Sequence, residues 1–218
     1  FPQASLLPDD PEFGDAMTTE IILVRHGQTA WNPQGRPRGR AAVPLDRLGV
    51  LQTKAAARYI ADHWTPSAIY YSPLRRTDQT ASEIAVLTGA PTIPHAGLLD
   101  VDFGAWEGRL PDDLASHWAE AWQTWLSRPQ DAVIPGGETL RTAQTRALAA
   151  LRDICLSHPG ETVVVVSHTA INRLLILGVL NISLEHFLHL GQEMTAINVL
   201  GFDGHSYTLR QMNLTEHL

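Results

Sequence analysis

This sequence predicts a layered α/β fold, on three observations. Short β-rich runs alternate along the chain with segments of helical spacing, the pattern of strands wound with helices. One run, residues 162–166 (TVVVV), is continuous and β-branched, as in a strand buried on both faces of a parallel sheet. The chain has 218 residues with a hydrophobic fraction of 44%, enough for a full core without disulfides or structural metal.

The elements follow in order. Residues 20–24 (EIILV) read as a strand that ends abruptly at Arg25-His26-Gly27. Residues 46–63 read as a helix, because Leu48, Leu51, Ala55, Ala56, Tyr59 and Ile60 recur near helical spacing. Residues 67–71 (SAIYY) form a second strand, broken by Ser72-Pro73, and 74–87 a second helix closed by Gly89 and Pro91. Trp106, Trp118, Trp122 and Trp125 fall in a partly irregular helical section, about 104–135, expected to cap one end of the sheet as core or pocket wall. After the turn Pro135-Gly136-Gly137 comes a long amphipathic helix with its stripe at Leu140, Ala143, Ala147, Leu148, Leu151 and Ile154. A helix from near Thr169 follows the 162–166 strand. Strands around 196–202 and 207–212 are then joined across Asp203-Gly204, a hairpin-type turn. Residues 1–16 stand apart. Asp10-Pro11-Glu12-Phe13 reads as translated cloning sequence, so an appended remnant or a disordered tail is expected there, with 17–218 a single domain.

Composition narrows the function. A net charge of -7 and a pI near 5.8 oppose a nucleic-acid partner, which demands a broad basic face. No run of about 18 apolar residues occurs, so neither a transmembrane helix nor a membrane partner is expected. Cys155 is the only cysteine; no intramolecular disulfide can form, which suits a cytoplasmic protein. Among Leu151, Ile154 and Leu156 it reads as a small buried hydrophobe rather than a catalytic thiol. The apolar C-terminal strands could pair two copies into a homodimer. More than half of the 16 Lys and Arg lie between Arg25 and Arg76, which fits a local anion site inside an acidic protein.

Two strand ends deliver a histidine: Val24 leads to Arg25-His26, and Val166 leads through Ser167 to His168. A third delivers Ser72-Pro73 and then Arg75. Ligands of open α/β sheets bind at the carboxyl ends of strands, so one site with two His and at least two Arg is expected. A neutral imidazole is a competent nucleophile near neutral pH, and arginine forks can hold and offset phosphate charge. The chain has no Asp/Glu cluster for magnesium and no zinc-type spacing; His186 and His189 lack further ligands and read as a helix face. Arginines standing where a metal would be make the expected site metal-free and cofactor-free.

The motifs around these residues resemble a known family. Residues 23–32 (LVRHGQTAWN) resemble the RHG-x-T-x-W-N signature of the histidine phosphatase superfamily, in its phosphoglycerate mutase-like branch. Pro44-Leu45 with Gly49 and Gln52, residues 72–81 (SPLRRTDQTA), 103–108 (FGAWEG) and 165–168 (VVSH) match further family segments in the expected order. The similarity spans about residues 20–200. It implies a three-layer α/β/α sandwich with a mostly parallel central sheet, and phosphomonoester hydrolysis through a phosphohistidine; the compact frame and arginine-rich loop point to a small anionic, phosphorylated metabolite as the substrate.

The resemblance also assigns roles. His26 is the implied nucleophile, Arg25 binds the transferring phosphoryl group, and His168 hydrogen-bonds that group in the transition state. The phosphate-binding arginine after the second strand is Arg75 or Arg76, with Arg75 favoured because it directly follows Ser72-Pro73-Leu74. Asn32 helps line the phosphate pocket, and Thr29 sits beside it near a helix N-terminus. Relatives carry glutamate where residues 98–104 (LLDVDFG) place Asp100, which becomes the implied proton donor, with Asp102 and Glu107 as fallbacks. Thr169 stands where glycine is common, narrowing the pocket or adding a hydroxyl. Arg38 and Arg40 fall in the loop that faces the rest of the substrate in relatives. Two other functions compete: phosphoryl transfer of the phosphoglycerate mutase type, and an inactive binding module. The short segment between Trp106 and Pro135, which lets water reach His26, opposes the first. Retention of both nucleophile and arginines opposes the second.

Overall fold

The computed structural model describes residues 17–218; the expectation for residues 1–16 lies outside them. Strand β1 (Thr19–Arg25) leads through a long loop to helix α1 (Arg47–His63), then β2 (Ala68–Tyr71), α2 (Arg75–Thr88) and β3 (Thr92–Pro94). Two short helices follow, α3 (Pro111–His117) and α4 (Ala119–Ser127). The chain continues through α5 (Leu140–Ser157), β4 (Thr162–Ser167), α6 (Thr169–Val179), β5 (Ile197–Phe202) and β6 (Tyr207–Leu214).

The strands form one sheet in the order β3-β2-β4-β1-β5-β6. Pairings of β1 with β4, β4 with β2 and β2 with β3 are parallel, while β5 runs antiparallel to both β1 and β6. The alternation of side chains along the central strands sorts them between two cores. Ile21, Leu23, Val163 and Val165 pack with α5 and α6 on one face; Ile22, Val24, Val164 and Val166 pack with α1 and α2 on the other. This is the expected α/β/α sandwich, with a mixed sheet. Strand β3 was not expected. It has three exposed residues, one of them proline, and exists because its register on β2 completes an edge.

Asp46 caps α1 by accepting a hydrogen bond from the Gly49 N–H at 2.8 Å, and Thr139 caps α5 through the Thr142 N–H at 3.1 Å. α2 ends at Gly89, which takes the left-handed conformation at φ 72°. Trp106 is fully buried and meets Trp122 edge to face at 5.6 Å; Phe103 meets Trp125 likewise at 5.1 Å. Burial pushes the Cys155 thiol up to about 12, as befits a packed hydrophobe.

Candidate active site

Parallel register places the site. Arg25 on β1 faces Ser167 on β4, and Tyr71 on β2 faces Val166, so the next residues, His26, His168 and Ser72, leave the sheet side by side. The His26 N–H donates to the Ser167 carbonyl at 3.0 Å, and the Ser72 N–H to the Val166 carbonyl at 3.1 Å. The rings of His26 and His168 are 5.3 Å apart, edge to face. Both are buried.

Each ring is held through one nitrogen. His26 Nδ1 lies 2.6 Å from its neighbour's carbonyl, Gly27 O, which only accepts, so Nδ1 carries the proton and the Nε2 lone pair is left unpartnered. His168 Nε2 is 2.8 Å from Ser72 Oγ, and its Nδ1 is 3.6 Å from Asp100 Oδ2. Burial, then the charges of Arg76 and Arg25, hold His26 well below the ordinary imidazole range. Burial and Arg76 do the same to His168. Both rings are therefore neutral at neutral pH, the state that a nucleophile needs.

Three guanidiniums surround them. Arg25 donates through Nη1 to the Gln192 carbonyl at 2.5 Å, while its Nε is buried without a partner. Burial and the neighbouring Arg38 push Arg25 down to about 9, which leaves it charged at neutral pH. Arg76 is fully buried and donates to Ala41 O, Gly39 O and Asp100 Oδ2, the last at 3.0 Å. Asp100 also accepts from the Val101 N–H through Oδ1. A cavity of about 360 Å³ opens above, with Arg25, Asn32, Arg38, Asp100 and Thr169 at this end. His26 and His168 are not on its wall. Thr169 Oγ1 has no partner and begins α6, whose first N–H groups add positive potential.

The loop holding His26 is fixed from behind. A side chain on Gly27 would strike the Gly49 carbonyl and Thr53 Oγ1, and one on Gly49 would strike the Gln28 backbone.

Residues 21–215 match the histidine phosphatase superfamily, branch 1. The chain belongs to that superfamily. A relative called phosphoserine phosphatase 1, from Hydrogenobacter thermophilus, is 31% identical over 91% of this chain and 94% of its own. An Arabidopsis thaliana protein called metal-independent phosphoserine phosphatase is 34% identical over 73% of this chain and 68% of its own. The structure of an Entamoeba histolytica phosphoserine phosphatase in complex with 3-phosphoglyceric acid superposes with a TM-score of 0.81 at 28% identity, covering 92% and 99% of the two chains.

Against this histidine phosphatase, two expected assignments need correction. Arg75, favoured for phosphate, is exposed and lies beside Pro73 and Asp78 outside the cavity; Arg76, which like the two histidines is not on the cavity wall, is buried close enough for its charge to act on both of them. The phase of α2 decides it: Arg76 shares the inward face with Thr77, Thr80, Ala81 and Ile84. Thr29 does not line the cavity and no helix begins there. Its N–H and hydroxyl both donate to Asn32 Oδ1 at 2.8 Å, which leaves the Asn32 amide nitrogen as the donor at the cavity. The fallback acids are engaged elsewhere. Asp102 pairs with Arg40 at 3.0 Å, and Glu107 accepts from the Arg40 N–H at 2.7 Å. Arg40 thus braces two acids outside the cavity, whereas Arg38 lines it with a buried, unpartnered Nε. Among the described residues no group of three or more His, Cys, Asp or Glu could hold a metal ion.

Reading the sequence alone missed Ser72 as a partner of His168, and Gln192 with Asn198 behind Arg25. The Gln192 side chain exchanges hydrogen bonds with Asn198 and accepts one from Asn172, and Asn198 anchors to Leu23 O at 3.1 Å. Only the apolar setting of Asn198 within β5 (INVLGF) signals this.

Proposed function

We propose that this protein is a phosphomonoesterase acting on small anionic metabolites through a phosphohistidine on His26. One observation carries the reading: a buried imidazole whose Nδ1 is tied to Gly27 O, leaving an unpartnered Nε2 lone pair amid Arg25, Arg76 and His168. His26 Nε2 attacks phosphorus and the bond to the alcohol oxygen breaks, with Asp100 delivering a proton to that oxygen. Asp100 then takes a proton from water as the water oxygen attacks phosphorus, and the P–N bond breaks to return neutral His26. Arg25, Arg76 and the Asn32 amide hold the equatorial oxygens through both steps.

The names of the relatives make O-phosphoserine the first substrate to assay. A cavity of about 360 Å³ is at the small end for ligand sites, which fits a metabolite. No helix among the described residues is long and apolar enough to cross a membrane. The lone buried thiol suits a cytoplasmic setting, and the outer edge of β6 is where a homodimer would form, which sedimentation tests.

The deciding experiment is a phosphatase screen over small phosphomonoesters with His26→Ala as control, with and without EDTA, and acid-labile phosphoenzyme trapped by rapid quench. Phosphate release with His26-dependent, EDTA-insensitive turnover is the expected result. Primer-dependent exchange between phosphoglycerates without phosphate release would replace this reading with a mutase. Absence of both turnover and phosphoenzyme would replace it with a binding module.

A further inference from the structure

The cavity continues past its phosphate-handling end, where one cation has no part in the hydrolytic steps. Arg173 lies on α6 one turn beyond Thr169, so the two side chains share a face, their Cα atoms about 6 Å apart along the axis. Both line the cavity. Arg173 Nε donates to the Leu190 carbonyl at 2.7 Å, and its guanidinium carbon stands 5.4 Å from the centre of the Phe187 ring. These two contacts orient the fork. Among the described residues that Nε bond is its only side-chain hydrogen bond, and no carboxylate lies within ion-pair distance. The terminal nitrogens, which offer paired donors, are therefore available to a ligand. Glu193 acts on Arg173 only through its field.

We propose that Arg173 is a second anion-recognition residue, selecting phosphomonoesters whose alcohol carries a carboxylate about one helical turn from the phosphoryl group. A planar fork matches a carboxylate in shape. A single cation beside Glu193 suits one negative charge better than the two of a second phosphate. Phe103, Trp125 and Phe187, joined edge to face, offer the short carbon skeleton an apolar wall. The proposal rests on the phosphatase reading for the position of the phosphoryl group.

The test uses 3-phosphoglycerate and glycerol 3-phosphate, which differ by a carboxylate against a hydroxymethyl group. Wild-type protein is expected to favour the first in kcat/KM by about tenfold or more, the scale of a hydrogen bond to a charged group. Arg173→Met, which keeps a chain over Phe187, is expected to collapse that ratio toward one, chiefly through KM. A ratio unchanged while both rates fall would mean that Arg173 only supports α6, and would overturn the proposal. Binding of 3-phosphoglycerate to His26→Ala, compared with His26→Ala/Arg173→Met by calorimetry, asks the same question without turnover. A tenfold loss of affinity supports the proposal even if the enzyme hydrolyses neither ester; equal affinities refute it.

Discussion

Arg76 and Asp100 meet through a single oxygen, Nη2 to Oδ2 at 3.0 Å, with neither side chain more than 6% exposed. Arg76→Met leaves the buried Asp100 carboxyl without this partner, and loss of Asp100 strands the Arg76 guanidinium in the interior. Arg76→Met is expected to lose about 3 kcal/mol or more in urea unfolding and about a hundredfold or more in kcat/KM. Arg75→Ala, exposed at the start of α2, should stay within about 0.5 kcal/mol of wild type. Equal effects of the two substitutions on kcat/KM would count against Arg76 as the phosphate-binding arginine.

Asp100→Asn keeps the shape and tests the proposed role of this carboxyl in giving and taking the proton. Turnover of an alkyl phosphate should fall by about a hundredfold or more, whereas p-nitrophenyl phosphate, whose leaving group needs no proton, should still phosphorylate His26. Phosphoenzyme then accumulates, because water lacks its base. A rapid-quench burst without steady turnover is the signature; equal loss on both esters would move the acid elsewhere.

The two buried imidazoles set a pH response. Their folded pKa values lie below the unfolded value of about 6.5, so below that pH the unfolded chain takes up protons that the folded chain refuses. Stability is thus complete above about pH 6.5 and declines as pH falls, by up to about 1.4 kcal/mol per pH unit for each ring. Urea midpoints at pH 7.5 and 5.5 measure this, and His26→Gln should reduce the slope. Imidazole NMR signals of both residues are expected to stay in the neutral form at pH 6.

Behind Arg25, the Gln192 carbonyl is positioned by side-chain bonds to Asn198 and Asn172. Asn198→Leu removes the two Asn198 bonds and leaves the Asn172 one, without touching the cavity. Vanadate affinity should fall by about tenfold, the scale of one displaced charge-assisted hydrogen bond, and KM should rise more than kcat falls. Unchanged vanadate affinity would reduce the network to a fold contact.

Much of this was legible in residue order, for a physical reason. Strands β1 and β4 are buried on both faces, and β2 over its first half, so they read as continuous apolar runs, and the polar residues that end them are the ones the sheet register aligns. Strand β3 was illegible because pairing, not composition, makes it a strand. The burial of Arg76 rather than Arg75 was available from helical phase, since positions 76, 80 and 84 lie on one stripe, but motif spacing favoured the exposed one. Gln192 and Arg173 escaped because nothing local marks a residue whose importance comes from a strand or cavity distant in sequence.

The interlock of Gly27 with Gly49 leaves His26 little freedom to follow a substrate, because the backbone behind it is already in contact with the start of α1. Accommodation of different alcohols must come from the other cavity walls, from the 36–38 stretch, the tryptophan-bearing helix and Arg173. Specificity in this architecture can therefore drift by substitution around Arg38, Trp122 and Trp125 while the reacting nitrogen keeps its place.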